Sequence, residues 1–120
     1  MTPKATVRHS GDVAIVDLAG KITLGDGSGL VRNTIKDLLA AGHKNIVLNL
    51  KEVGYIDSAG LGEIVGAYAT VANQGGEVKL LNTQGKVKDL LQVTKLYTVF
   101  AAFDDEAAAV RSYAAGAASA

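Results

Sequence analysis

The sequence has no cysteine, no tryptophan and a single proline among its 120 residues. Without cysteine, the chain has neither a disulfide scaffold nor a thiolate metal site. Its 12 basic and 12 acidic residues balance to zero net charge, which disfavours binding to nucleic acid or to anionic membranes, since both usually need a basic surface. No apolar run approaches the roughly 18 residues of a membrane span, and the N-terminus lacks the apolar core of a signal peptide. These absences predict a cytoplasmic protein with no nucleic-acid or membrane partner.

The composition is that of a globular domain. Hydrophobic residues make up 48% of the chain and charged residues 20%, unlike the low hydrophobicity and high charge of disordered chains. A chain of this length leaves room for one domain, and it can bury a substantial core without metal or disulfide. We expect the domain to comprise residues 1–113, followed by an alanine-rich tail at 114–120.

Five segments have the composition or apolar pattern of β-strands, namely residues 5–10, 13–19, 46–50, 78–81 and 97–100. Gly11 and Asp12 lie between the first two segments and predict an antiparallel hairpin. The third segment is almost continuously apolar, which is typical of a strand covered on both faces, as in a parallel sheet. We expect a turn around Gly54 after it, and the last segment to be an edge strand.

Apolar residues spaced by three or four positions predict helices between these strands. Three helical patterns begin near Leu30, Leu61 and Val87, and the acidic residues 104–106 suit the first turn of a fourth helix. Strands alternating with helices imply βαβ units. The sequence therefore predicts an α/β fold with a mixed, mostly parallel sheet of four to five strands and about four helices packed against it. Residues expected in its core are Leu48, Leu50, Leu61, Ile64, Val65 and Leu90.

The predicted start of the second helix carries the segment Tyr55-Ile56-Asp57-Ser58-Ala59-Gly60-Leu61-Gly62. Asp57 and Ser58 are both residue types that cap helices, and Gly60 and Gly62 remove side chains that would keep another backbone away. A phosphate on Ser58 would lie at the positive end of the helix dipole and add a charge of about −1.5 to −2. The segment fits a phosphorylation switch, and it fits equally a helix cap with no further role.

Three enzymatic or metal-dependent interpretations find little support. The spacing Gly60-x-Gly62-x-x-x-Gly66 has one residue too many for a dinucleotide fingerprint, and no Walker lysine follows. A nucleophile elbow needs glycine two residues before the serine, where this chain has Ile56. The two histidines, His9 and His43, form no metal-ligand spacing with other residues. We expect a protein that is not an enzyme and holds neither metal nor cofactor.

The chain resembles the STAS domain family (sulfate transporter and anti-sigma factor antagonist), and within it the stand-alone bacterial anti-sigma factor antagonists. The resemblance extends from about Val13 to Val110 and rests on residues 46–50, 53–62, 75–81 and 95–100. Its most specific element is Asp57-Ser58-Ala59-Gly60-Leu61-Gly62. The sequence differs from the common pattern at Asn49, where the strand often carries aspartate, and at Ala59, where a second serine is frequent.

The resemblance implies an anti-sigma factor antagonist that switches partners through Ser58, the serine that follows the motif aspartate. In that family the unphosphorylated protein binds an anti-sigma factor serine kinase and releases the sigma factor. Phosphorylation blocks binding, and a PP2C-type phosphatase restores it. The alternative is a STAS module in a stress-signalling complex or an ABC-type lipid transport complex.

The resemblance also suggests where a partner would bind and which oligomeric state the protein has. We expect the glycine-rich loop 25–29 on the same face as Ser58, and a monomer or weak dimer. The expected partner-binding residues are Asp57, Ser58, Ala59, Gly60, Leu61, Gly62, Asp26 and Ser28.

Overall fold

A five-stranded mixed sheet forms the centre of the computed structural model, which describes residues 3–23 and 28–119. Strand β1 is antiparallel to β2, whereas β2, β3, β4 and β5 are parallel neighbours. The predicted mixed, mostly parallel sheet is therefore confirmed. In their order across the sheet, which is also chain order, the strands are β1 (Lys4–Ser10), β2 (Val13–Ile22), β3 (Asn45–Ile56), β4 (Glu77–Leu81) and β5 (Ala102–Phe103).

Four helices cover the two faces of this sheet. Helices α1, α2 and α3 supply buried residues to the larger of two hydrophobic cores, while α4 supplies Ala109 and Tyr113 to the smaller. A short 3-10 helix, Leu96–Thr98, follows α3. The helices are α1 (Ser28–Ala40), α2 (Ser58–Asn73), α3 (Gly85–Thr94) and α4 (Glu106–Ser119).

The alternating direction of the side chains along the central strands explains why helices cover both faces of the sheet. In β3, Ile46, Leu48 and Leu50 lie in the larger core, while Val47 lies in the smaller one. Successive side chains of a strand point to opposite faces, so a continuously apolar strand needs a layer of helices on each side. The sequence prediction for residues 46–50 is confirmed.

The predicted core is largely confirmed. Leu48, Leu50, Leu61 and Ile64 are buried. Val65 and Leu90 are only partly buried and pack against the rim of the larger core. Val65 directly follows the buried Ile64, and Leu90 directly precedes the buried Leu91. Because neighbouring residues of a helix are about 100° apart around its axis, Val65 and Leu90 point away from the centre of the core.

Two local predictions were wrong. Gly54 does not lie in a turn, because β3 continues to Ile56 through two register shifts opposite β2, and Gly54 lies at the second. The first shift interrupts the apolar alternation of β3 at Lys51 and Glu52, so the sequence pattern did not reveal the second half of the strand. Residues 97–100 do not form the edge strand either; it is the two-residue β5, which pairs with Leu80 and Leu81.

The parallel pairing brings the carboxyl ends of β2 and β3 together. Ile22, the last residue of β2, pairs with Ile56, the last residue of β3, and α2 begins two residues later. Within residues 3–23 and 28–119, no helix is both long enough and apolar enough to cross a membrane.

Candidate functional site

Asp57 caps α2 and fixes the position of Ser58, the first residue of that helix. The amide of Gly60 donates to Asp57 Oδ1 at 2.8 Å, and the amide of Leu61 donates to the Asp57 carbonyl at 2.9 Å. Ser58 is exposed, and its hydroxyl has no hydrogen-bond partner among the described residues. The cap is thus formed by Asp57, while Ser58 presents its hydroxyl to solvent.

The two glycines of this segment differ in their surroundings. A Cβ on Gly60 would lie 2.0 Å from the carbonyl oxygen of Ile22, so only glycine allows the first turn of α2 to pack on the end of β2. Around Gly62 there is open space within 4 Å. The close backbone approach at Gly60 is therefore made by the same chain, and Gly62 alone is open to a second molecule.

The predicted partner-binding residues divide into a surface and its support. Asp57, Ser58, Ala59 and Gly62 are at least partly accessible, whereas Gly60 and Leu61 are buried beneath them. Residues 24–27, which include Asp26, and the side chain of Ser28 lie outside the part of the chain that the structure describes. The location of loop 25–29 on the same face as Ser58 therefore stays a prediction.

Ser58 lines an open cleft of about 440 Å³ between α2 and α3. The carboxyl end of β3 forms one side of this cleft, and α3 forms the other. Its lining residues are Tyr55, Ile56, Asp57, Ser58, Lys86, Asp89, Leu90 and Val93.

The α3 side of the cleft was missed by sequence reasoning because its residues are distant from Ser58 in the chain. One signal could have indicated it. Helix α3 follows β4, the parallel neighbour of β3, and the segments that follow neighbouring parallel strands meet at one end of a sheet.

The cleft combines an exposed apolar rim with charged groups. Tyr55 is 39% exposed and Val93 is 80% exposed, although both are large hydrophobic residues. Lys86 is the single cation among the lining residues, and Asp57 and Asp89 are the carboxylates. A surface of this kind suits contact with another protein more than it suits a small polar ligand.

Asn49, the position at which the sequence differs from the common family pattern, lies in a polar row on the opposite face of the sheet from α1, α2 and α3. Its Nδ2 donates to Asp17 Oδ1 at 2.8 Å, and its Oδ1 accepts from Asn82 Nδ2 at 3.0 Å. Arg8 donates to Asp17 Oδ1 at 3.0 Å and to Glu106 Oε1 at 2.7 Å. The row joins β1, β2, β3 and the first turn of α4.

These contacts change the acidity of the row. The hydrogen bond from Arg8, supported by the one from Asn49, holds the pKa of Asp17 below its ordinary value, although partial burial acts in the opposite direction. The same hydrogen bonds to Asp17 and Glu106 raise the pKa of Arg8. Arg8 and Asp17 therefore stay charged near neutral pH, and Arg8 ties the β1–β2 hairpin to α4.

The histidines lie at the other end of the sheet from Ser58. His9 pairs with Ala14 near the start of β2, and its ring lies 4.8 Å from the ring of His43, measured between centroids. Within the described ranges, no group of three or more His, Cys, Asp or Glu side chains could hold a metal ion.

Comparison with known proteins gives a consistent result. Residues 4–109 match the family model described as the STAS domain. The sequence is 30% identical over 107 residues to the anti-sigma F factor antagonist of Paenibacillus polymyxa, covering 88% of this chain and 91% of that protein. It is 35% identical over 81 residues to the anti-sigma-B factor antagonist of Bacillus subtilis, covering 68% and 72% respectively.

The fold also matches a solved structure. It superimposes on the Bacillus cell fate determinant SpoIIAA in its phosphorylated form with a TM-score of 0.71 and 18% identity. The match covers 92% of this chain and 99% of that one. At this identity the likeness concerns the fold alone.

Proposed function

Because this chain belongs to the STAS domain family, we propose that it is an anti-sigma factor antagonist that switches partners through Ser58. In its unphosphorylated form it binds an anti-sigma factor that is also a serine kinase, and the sigma factor is released. The phosphorylated form does not bind, and a PP2C-type phosphatase returns it to the binding form. The observation that carries the proposal is Ser58 itself, exposed in the first turn of α2 and held there by the Asp57 cap.

The proposed modification is a phosphoryl transfer in which this chain is the substrate. Ser58 Oγ attacks the γ-phosphorus of ATP bound to the kinase. An Oγ–P bond forms, the bond from that phosphorus to the β–γ bridging oxygen breaks, and ADP leaves. The hydroxyl proton passes to a base of the kinase. The phosphatase later uses water to hydrolyse the Oγ–P bond, which regenerates the hydroxyl and releases inorganic phosphate.

Two features support a local switch that leaves the fold intact. The cap of α2 uses the carboxylate of Asp57, so a phosphate on Ser58 does not displace it. A partner that packs on this turn must remove water from it, and a dianion beside Asp57 and Asp89 makes that costly. The hydroxyl imposes no such cost.

The surroundings of Ser58 support a protein as the partner. The exposed Tyr55 and Val93 border the same cleft, and exposed apolar groups of this size mark interaction surfaces when they cluster. We propose that the chain acts by binding, without catalysis or cofactor, and that it acts in the cytoplasm, where sigma factors direct RNA polymerase. The alternative assemblies have no specific observation in their favour.

Phosphorylation mapping tests this proposal. The protein is incubated with ATP and, one at a time, the anti-sigma factor kinases of the source genome, and the modified residue is located by mass spectrometry. We expect a single phosphate on Ser58 in the wild type and none in Ser58→Ala. Ser10→Ala is the matched control, because Ser10 is an exposed serine at the far end of β1, and it should be modified like the wild type. Modification at another residue in Ser58→Ala would contradict the proposal.

A further inference from the structure

The cationic side chain in the cleft beside Ser58 belongs to Lys86 of α3, a helix that is distant from Ser58 in the sequence. Lys86 is the second residue of α3 and lines the cleft together with Ser58. It is exposed, and it forms neither an ion pair nor a hydrogen bond with the described residues. Its ammonium group is therefore available to an anion that enters the cleft.

The two carboxylates that line the cleft form no ion pair with Lys86. Asp89 lies three positions after Lys86, a spacing that often supports an ion pair on a helix surface, yet the two form none. Asp57, on the other side of the cleft, accepts from the amide of Gly60. Within the described lining of the cleft, Lys86 thus forms no ion pair while Ser58 is unmodified.

A phosphate on Ser58 changes the balance of charge in this cleft. It brings a charge of about −1.5 to −2 at neutral pH and three strong acceptor oxygens. Asp57 and Asp89 repel it, so the dianion gains most from the one cation within the lining. A lysine ammonium is a compact point charge with three donors on a flexible four-carbon stem, which suits a phosphate whose exact position is not fixed.

We propose that Lys86 binds the phosphate of phosphorylated Ser58 and holds it inside the cleft between α2 and α3. The inference rests on the proposed modification of Ser58. The phosphate held in this way occupies part of the cleft that Tyr55 and Val93 also line. The modified state therefore places a bulky, charged group on the surface that a partner would otherwise contact.

A ³¹P NMR titration tests this pairing without any kinase, with phosphoserine incorporated at position 58 during translation. A neighbouring cation favours the dianion, so it lowers the second pKa of the phosphate from about 6. We expect Lys86→Ala to raise that pKa by roughly half a unit, about a threefold change in proton affinity, because the site is open to solvent. Lys86→Arg should keep the wild-type value, and 1 M salt should reduce the difference.

Lys88→Ala is the matched control. Lys88 is an exposed lysine of the same helix, but it lines a different cleft with Tyr97, so its removal changes net charge equally and should leave the titration unchanged. Circular dichroism of each variant verifies the fold, and Lys86→Gln replaces Lys86→Ala if the latter is unfolded. Superimposable curves for wild type and Lys86→Ala, or equal shifts for Lys86→Ala and Lys88→Ala, would overturn the pairing.

The titration and the phosphorylation mapping test different claims, so a negative result in one leaves the other claim standing. A negative ³¹P result removes the role of Lys86 and leaves phosphorylation of Ser58 intact. Absence of kinase modification at Ser58 removes the proposed function, while the titration of the encoded phosphoserine is still readable.

Discussion

At the scale of single residues, the position of Ser58 depends on two neighbours that act differently. Asp57 stabilises the first turn of α2 by accepting the Gly60 amide, a contribution typically near 1 kcal/mol. Gly60 lets that turn lie against the Ile22 carbonyl. Neither residue needs to touch a partner to be necessary for the site.

We predict that Gly60→Ala destabilises the protein by about 1–3 kcal/mol. The new Cβ would meet the backbone oxygen of Ile22 at 2.0 Å, and a backbone atom cannot move aside as a flexible side chain can. Gly62→Ala is the control, because its Cβ enters open space and alanine favours a helix by up to about 1 kcal/mol over glycine. Urea denaturation measures both, and equal stability changes for the two variants would contradict this account of Gly60.

We predict that Asn49→Asp destabilises the protein near neutral pH by about 1–2 kcal/mol, a value reduced for the partial exposure of Asp17. The substitution removes the donor to Asp17 Oδ1 and places a second carboxylate beside it, so the pKa of Asp17 rises. Asn33→Asp, at an exposed position of α1, is the charge-matched control and should change stability little.

The pH dependence of these variants follows from the lowered pKa of Asp17 in the folded state. Its contribution to stability is present above the unfolded pKa of about 3.9 and is lost as pH falls through the lower folded value. Urea denaturation from pH 7 down to pH 3 should show the deficit of Asn49→Asp shrinking as its carboxylates become protonated. A deficit that does not change with pH would contradict an electrostatic cause.

At the scale of secondary-structure elements, the sequence predicted those with a regular pattern and missed those without one. The buried run of β3 and the apolar face of α2 follow single periods, so both were found. The bulged second half of β3 carries Lys51 and Glu52 where alternation fails. Strand β5 has two residues, too few for any period, and the apolar residues before it instead form a 3-10 turn that leads to buried Phe100.

The candidate site, like the fold, could be predicted from the sequence only in part. A capping aspartate followed by a serine at a helix start is a local signal, so the first turn of α2 could be found from the sequence. Lys86 and Val93 reach Ser58 only through the pairing of β3 with β4 and the packing of α3, and no local pattern encodes that proximity.

Helix α3 is expected to contribute to partner binding. We predict that Val93→Asp weakens binding to the anti-sigma factor by about 1–2 kcal/mol without changing stability, because Val93 is 80% exposed and borders the Ser58 cleft. Gln92→Asp adds the same charge on the flank of α3 that faces the other cleft and should bind like the wild type. Calorimetric titration compares the affinities of the two variants. Equal losses of affinity would show that the added negative charge weakens binding wherever it lies on α3, and would contradict a specific role for Val93.

We expect Tyr113 to be the last residue of α4 that contributes substantially to the stability of the domain. The hydroxyl of Tyr113 lies 2.6 Å from the Ile46 carbonyl oxygen and 2.7 Å from that of Glu77. We predict that Tyr113→Phe costs about 1–2 kcal/mol, whereas removal of residues 114–120 costs little, consistent with the proposed domain of residues 1–113. Thermal unfolding followed by circular dichroism decides, and a larger loss from the truncation than from Tyr113→Phe would contradict this boundary.

At the scale of the whole molecule, the proposed switch and the stabilising polar row occupy different layers. Ser58 and its cleft belong to the side of α2 and α3, while Arg8, Asp17 and Asn49 lie on the face that α4 partly covers. A charge added at Ser58 is separated from that row by the sheet. We therefore expect phosphorylation to change what the protein binds and to leave its fold unchanged.

Calorimetric titration of the proposed partner, an anti-sigma factor kinase, with the unphosphorylated and phosphorylated forms of this protein tests the central claim most directly. Unmodified protein and Ser58→Ala should bind equally well, and protein phosphorylated at Ser58 should bind at least tenfold more weakly, about 1.4 kcal/mol or more. Ser58→Glu, with only part of the charge, should fall between them, and circular dichroism should show the same fold in all four. Wild-type affinity of the phosphorylated protein would contradict the account and remove Ser58 as the switch.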